Sequence, residues 1–313
     1  MNNIYAPTEE NIKRAAETIK NGGLVAIPTD TVYGLGADVY NPKAVSNIFA
    51  AKERPFFDPL ISHIADINFL PEYAQTDSRA MYLARHFWPG PLTFVLKRKD
   101  KNHVLDLVCS GLPNIAVRMP NHPVTLELIR LANTPIAAPS ANKFKTVSPT
   151  TAQHVQDSLG NRVDMILDGG NCKIGVETTI IDLTTKDMVM LRAGGLSKED
   201  IEAYTGEKVL ISEGSPDKPS APGQLLKHYA PAHSLRINAE RPQENEFYIG
   251  FGNVDADLNL SPSGNLNEAA ANLFAYLRLA DSLAGNKNIA MSPIPEQGLG
   301  LAINDRIRRA AYK

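Results

Sequence analysis

The chain has little cysteine, little net charge and no long apolar run, and each shortage removes a class of protein. Two cysteines in 313 residues, Cys109 and Cys172, form no CxxC pair, so neither a disulfide framework nor a cysteine-ligated zinc site is expected. Thirty-two basic residues against 34 acidic ones leave a net charge of −2. A field that weak draws in neither nucleic acid nor an anionic membrane. No stretch approaches the ~18 consecutive apolar residues of a membrane span, and the opening MNNIYAPTEENIKRAAETIKNGG lacks the apolar core of a signal peptide. The expectation from these absences is a soluble protein of the reducing cytoplasm.

Common catalytic signatures are missing as well. A P-loop needs GxxxxGK[ST] and a dinucleotide fold needs GxGxxG, of which Gly34-Leu35-Gly36 and Gly298-Leu299-Gly300 supply only fragments. There is no GxSxG elbow and no HExxH helix. His228 and His233 have no cysteine nearby, so no metal site is expected there. Any nucleotide must be held some other way, and any anion site must be local.

What the chain does contain is an α/β pattern long enough for one large domain or two ordinary ones. Apolar runs of strand length occur at Leu24 to Pro28, Leu60 to Ile64, Thr93 to Leu96, Ile115 to Arg118, Ile136 to Ala138, Met165 to Leu167, Thr179 to Leu183 and Met188 to Arg192. Thr8 is placed to cap a helix carrying Ile12, Ala15, Ala16 and Ile19, and Asn41-Pro42 opens a second with Val45, Ile48 and Phe49 inward. Some strands are joined by helices and others by short turns, which predicts a mixed rather than purely parallel sheet.

The composition shifts between Gly206 and Pro231, where Gly214, Pro216, Pro219, Pro222 and Gly223 read as a linker. Beyond it, strands at Phe247 to Phe251 and Asn288 to Ser292 with helices at Glu268 to Leu283 and Asn304 to Ala311 predict a small α/β domain. The expected division is therefore 1–205, a linker over 206–233, and 234–313.

The chemistry-bearing residues gather at strand ends. PTDTVYGLG, Pro28 to Gly36, is a hydroxyl-rich turn after a buried strand, where open α/β sheets bind ligands. Lys52 and Arg54 emerge at the end of the second helix, as a solvated helix end or as an anion site. APSANKFKTVSPT offers Ser140, Asn142 and Ser148 as small polar donors. Arg118 and Arg192 end two strands, as a guanidinium clamp would. From the residues alone the reading is an α/β protein that binds an anionic small molecule.

Taken together, PTDTVYGLG, the KxR of Lys52 and Arg54, WPGPLTFVL, VRMPNHP, APSANKFKTVSPT, DGG with GVETTIIDL, LRAGG and APGQLLKHYAP resemble the YrdC-type threonylcarbamoyl-AMP synthases in their long, two-domain form. The resemblance is dense from Asn11 to Pro231 and looser over GLGLAINDRIRRA. It implies a twisted YrdC-like mixed sheet, a Rossmann-like second domain, and a nucleotidyltransferase joining L-threonine, bicarbonate or carbon dioxide, and ATP. The expected metal is Mg2+, arriving with ATP. Other proteins would pass the product to tRNA, and direct tRNA binding is not expected at this net charge.

By the same resemblance Lys52 and Arg54 hold the triphosphate and are the catalytic pair. Asn114, Ser140, Asn142, Ser148, Arg192, His228 and Tyr229 contact ATP, and Thr29, His63, Arg118, Ala138 and Thr178 frame threonine, with Arg118 facing its carboxylate. Two departures stand out: Thr178 replaces the usual serine, and Gln224 and Leu226 replace a methionine and an aromatic residue. The rival readings are an RNA-binding module without turnover and carbamoyl transfer, as in larger hydrogenase-maturation proteins with a similar domain.

Overall fold

A computed structural model describes residues 3–99, 106–212 and 228–312. The linker residues Gly214, Pro216, Pro219, Pro222, Gly223, Gln224 and Leu226 lie outside them.

Among the described residues eleven strands form one mixed sheet in the order Ile4–Tyr5, Met165–Leu167, Val25–Ile27, Gly34–Asp38, Ile136–Ala137, Ile61–His63, Asn114–Arg118, Leu92–Lys97, Thr179–Asp182, Met188–Arg192, Val209–Ile211. Parallel pairs such as Ile61–His63 with Asn114–Arg118 alternate with antiparallel ones such as Leu92–Lys97 with Asn114–Arg118. All eight strands expected from the apolar runs are present, within a residue or so of their ends.

Two elements correct the sequence reading. Gly34–Asp38, read as part of a loop, is a strand paired antiparallel with Val25–Ile27. Its glycines explain both the miss and the need: a Cβ on Gly36 would lie 2.9 Å from Ile136 Cγ2 and 3.0 Å from the Val25 carbonyl. Likewise Val209–Ile211, inside the segment read as linker, adds a strand parallel to Met188–Arg192.

Helix ends follow local chemistry. Thr8 accepts from Asn11 N, Asn41 from Lys43 N and Ala44 N with Pro42 at the first helical position, and Ser197 from Asp200 N. Ile12, Ala15, Ala16 and Ile19 of Glu9–Lys20 are buried as their spacing predicts.

The second sheet is fully parallel, in the order Leu235–Arg236, Asn288–Met291, Glu246–Gly250, Leu258–Asn259, with helices Leu266–Leu283 and Leu299–Ala311. Its core of Leu273, Phe274, Leu277, Ile289 and Ile303 continues onto Val32, Val147 and Val176 of the larger unit. The two units therefore share a core exactly where the strand ends of the first sheet carry polar residues.

Candidate active site

One cavity collects most of the expected residues. Thr29, Arg54, His63, Arg118, Ala138, Ser140, Thr178, Arg192, His228 and Tyr229 all line it, together with Thr31 and Glu177. Most come from the ends of neighbouring strands, Arg54 from just beyond the helix Pro42–Lys52 and His228 and Tyr229 from ahead of the second unit: His63 pairs directly with Arg118 in register, Arg118 with Thr93, and Gly34 bridges to Ser140. The cavity, about 50 Å3, is open to solvent on one side.

On the side of Thr29, the turn after Val25–Ile27 is closed by its own hydroxyl. Thr29 Oγ1 accepts from Thr31 N at 3.1 Å and Val32 N at 3.2 Å and donates to the Val32 carbonyl at 2.6 Å. Arg118 is held by this turn: Nη1 donates to Thr31 Oγ1 at 2.8 Å, Nε to the Gly90 carbonyl at 3.0 Å, and Nη2 to Asp30. Those bonds use three of the five N–H donors of a guanidinium and fix its plane. Burial, and then Arg118, push His63 down to about 3, so its imidazole is neutral near pH 7.

At the opposite wall Thr178 receives two hydrogen bonds at its hydroxyl, from Thr93 Oγ1 and from Arg192 Nη2, each at 2.9 Å, while Arg192 Nε donates to the Thr178 carbonyl at 3.0 Å. The backbones meet closely here. A Cβ on Gly194 would lie 2.2 Å from the Thr178 carbonyl carbon, so the RAGG turn tolerates only glycine.

Lys52 corrects the view of it as a solvated helix end. Its side chain is 1% exposed, and Nζ donates to the Ser140 carbonyl and to the Asn142 carbonyl, the latter at 2.6 Å. Burial first, and the neighbouring Arg54 second, hold its pKa well below the usual lysine range. Arg54 is also buried, donating to the Pro59 carbonyl at 2.9 Å with its Nη2 2.9 Å from Asp58 Oδ2. Such a pair is retained in spite of a large desolvation cost.

Four expected residues stand off the cavity wall: Lys52, held by the two carbonyls just described, and Asn142, Ser148 and Asn114. Asn142 donates to the Lys143 and Thr146 carbonyls, each at 2.9 Å, and so shapes the loop that Lys52 supports. Ser148 donates to Glu177 Oε1 at 2.7 Å. Asn114 opens the strand that Arg118 closes and pairs with Lys97, which places it at the far end, ~13 Å away by strand rise.

Sequence reasoning missed Asp30, Asp58, Glu177 and Arg306. Each is a charged residue buried against a site cation or carboxylate, and a single sequence offers no spacing signal for such pairs. Glu177 is an extreme case: burial opposes its ionisation, but Arg306, Arg192 and the Ser148 hydroxyl outweigh burial and hold it down at about 2.

Residues 228–229 close the site. Tyr229 has a left-handed φ of 61°, uncommon for a bulky residue, and its ring lies 4.0 Å from His228 and 5.3 Å from Phe274 of the second unit. His228, buried among Lys52, Arg54 and Arg306, is pushed down to about 3 by burial first, with the pull of Glu177 opposing. Among the described residues no three His, Cys, Asp or Glu side chains converge as a metal cage, and none of their helices is long and apolar enough to cross a membrane.

Known proteins match both halves of the chain. Residues 17–194 match the Sua5/YciO/YrdC family model, described as "Telomere recombination", and residues 196–312 match the threonylcarbamoyl-AMP synthase C-terminal domain. The threonylcarbamoyl-AMP synthase of Pyrococcus abyssi is 42% identical over 99% of this chain and 96% of its own, and that of Bacillus subtilis 38% identical over 97% and 93%. The crystal structure of P. abyssi Sua5 complexed with L-threonine superposes with a TM-score of 0.91 at 40% identity, covering 98% of this chain and 97% of that one. With both halves matched in order and the strand-end cavity between them, the chain belongs to the Sua5/YciO/YrdC family in its two-domain form.

Proposed function

We propose that the protein makes L-threonylcarbamoyl-AMP from L-threonine, bicarbonate or carbon dioxide, and ATP, releasing pyrophosphate, for the threonylcarbamoyladenosine modification of tRNA. The observation that carries this reading is the meeting of Arg54, Arg118 and Arg192 with strand-end hydroxyls at one buried cavity. The activity for which the relatives are named and the L-threonine bound to P. abyssi Sua5 support it.

The chemistry asks for little more than such a cavity. The threonine amine adds to carbon dioxide and loses a proton, giving a carbamate. A carbamate oxygen then bonds to the α-phosphorus of ATP as the bond to the β-phosphate bridging oxygen breaks, and pyrophosphate carries away the electron pair. No protein nucleophile takes part, so positioning and charge neutralisation are the enzyme's contribution. This makes it a nucleotidyltransferase.

In this reading Lys52 and Arg54 supply positive charge to the triphosphate, with Arg192 reaching it from the neighbouring strand end. Ser140, Asn142 and Ser148 shape and contact the nucleotide side. Thr29, His63, Ala138 and Thr178 frame threonine, and the two guanidinium N–H groups of Arg118 outside the three bonds described meet its carboxylate. Asn114, at the far strand end, stands off this cavity and would meet ATP only at a part of the nucleotide that extends beyond it. Magnesium enters as MgATP, because Mg2+ commonly binds through phosphates and water.

A cavity of about 50 Å3 is far below the ~300–1,000 Å3 of small-molecule sites. Binding of the substrates therefore needs the walls to move apart, and we place that movement at His228 and Tyr229, where the left-handed backbone of Tyr229 stores strain. Release of the product to a tRNA-modifying partner in the cytoplasm follows the same route.

The test is pyrophosphate release by the purified protein with MgATP and bicarbonate, with and without L-threonine, and with L-serine as a control. Release that depends on threonine is expected. Equal release without threonine, or none at all from folded protein, rejects the assignment.

A further inference from the structure

Arg306 lies on the last helix of the second unit, in the loosely matching string GLGLAINDRIRRA and among none of the residues expected to contact a substrate, yet it is completely buried. Its Nε donates to Glu177 Oε2 at 3.0 Å and its Nη1 to the Ala193 carbonyl at 2.7 Å and Asp305 Oδ2 at 2.9 Å. Its guanidinium carbon stands 5.6 Å from the centre of the Tyr229 ring. Glu177 in turn lines the cavity beside Arg54, Arg192 and His228.

A carboxylate in the wall of a triphosphate site is a liability, since like charges at close range in a poorly hydrated site repel strongly. Only a buried cation behind it removes that repulsion. Ser148 contributes only a neutral hydroxyl, at Oε1; Arg192 helps hold Glu177 ionised, and Arg306, paired directly with Oε2, supplies the largest share of the compensating charge. Arg306 spans both units, because Glu177 and Ala193 belong to the first sheet's strand ends while Arg306 belongs to the second unit.

We propose that Arg306 is a positioning residue through which the second domain makes the site fit for ATP: it neutralises Glu177 and holds the Ala193 turn and the Tyr229 ring in place. This rests on the ATP site described above. The second domain thereby acts chiefly on nucleotide affinity and much less on threonine recognition, built from Thr29, His63, Arg118, Ala138 and Thr178.

Calorimetric titration with MgATP alone and with L-threonine alone separates the possibilities without requiring turnover. Arg306→Gln is expected to weaken MgATP binding at least tenfold while threonine binding changes less than threefold. Glu177→Gln added to it restores the net charge and is expected to bring MgATP affinity back to within about threefold of the unaltered protein.

Unchanged MgATP affinity in Arg306→Gln, an equal loss of both ligands, or a double variant no better than the single one overturns the proposal. If Arg306→Gln does not fold, Arg306→Lys carries the test. MgATP affinity retained within threefold supports charge neutralisation, and a tenfold loss overturns it. Unaltered protein that binds MgATP but releases no pyrophosphate overturns the synthase reading alone, and unaltered protein that fails to bind MgATP overturns both.

Discussion

Lys52 and Thr178 show how differently single side chains are committed in this site. Lys52 is held by two backbone carbonyls, so Lys52→Ala removes a charge from the triphosphate site and leaves both carbonyls without that donor. An unmet buried acceptor costs about 1–3 kcal/mol. Pyrophosphate release is expected to fall at least a hundredfold and the melting temperature to drop by several degrees; turnover at the normal rate would remove Lys52 from the reaction. The sequence alone suggested no change in stability, because a lysine at a helix end is ordinarily solvated, and only the Ser140–Asn142 loop folding over it reverses that.

Thr178 makes a finer test. Its hydroxyl accepts from both Thr93 and Arg192, so Thr178→Ser should keep the melting temperature within about two degrees and turnover within a few-fold. Thr178→Val keeps the shape but leaves the buried Thr93 hydroxyl and one guanidinium N–H without their acceptor. A loss of roughly 2–4 kcal/mol is expected, with turnover down at least tenfold; calorimetry and pyrophosphate assay give both readings, and a fully active Thr178→Val would contradict the role given to the hydroxyl.

Among elements, the strand Gly34–Asp38 and the turn at Gly194 carry the geometry. Periodicity finds strands from side chains, and Gly34-Leu35-Gly36 presents almost none, so this strand was invisible where Met165–Leu167 and Met188–Arg192 were plain. The polar partners were hidden for a related reason: Asp30 and Glu177 sit in strings that look like turns, and their cations are 88 and 129 residues away in the chain. Strand-end hydroxyls and arginines, by contrast, were legible because a strand and its end are local. At Gly194, Ala substitution drives a methyl into the Thr178 backbone. Gly194→Ala is expected to lose soluble expression or, where it folds, to lose pyrophosphate release through displacement of Arg192; a variant of normal stability and activity would show that the turn has room to yield.

For the molecule as a whole, buried imidazoles set the response to acid. His63 and His228 are both pushed down to about 3 from an ordinary 6.5, chiefly by burial. Between those values the unfolded chain binds a proton at each ring that the folded chain refuses, so stability is full above pH 6.5 and falls as pH drops toward 3. Glu177, lowered from 4.5 to about 2, adds the same sign further down: its contribution is full above 4.5 and is lost as pH falls toward 2. Each imidazole is worth up to ~1.4 kcal/mol per pH unit within its window, so about 2 kcal/mol per ring separates pH 7 from pH 5. The melting temperature is expected to fall over that interval, and His63→Asn is expected to flatten the slope. The cavity gains nothing from those rings as cations, since both stay neutral while the chain is folded. Its positive charge near pH 7 therefore rests on Arg54, Arg118 and Arg192, and pyrophosphate release should follow the melting curve downward in acid and show no separate imidazole titration; an activity midpoint near pH 6.5 in protein that is still fully folded would refute the neutral assignment of His63 and His228.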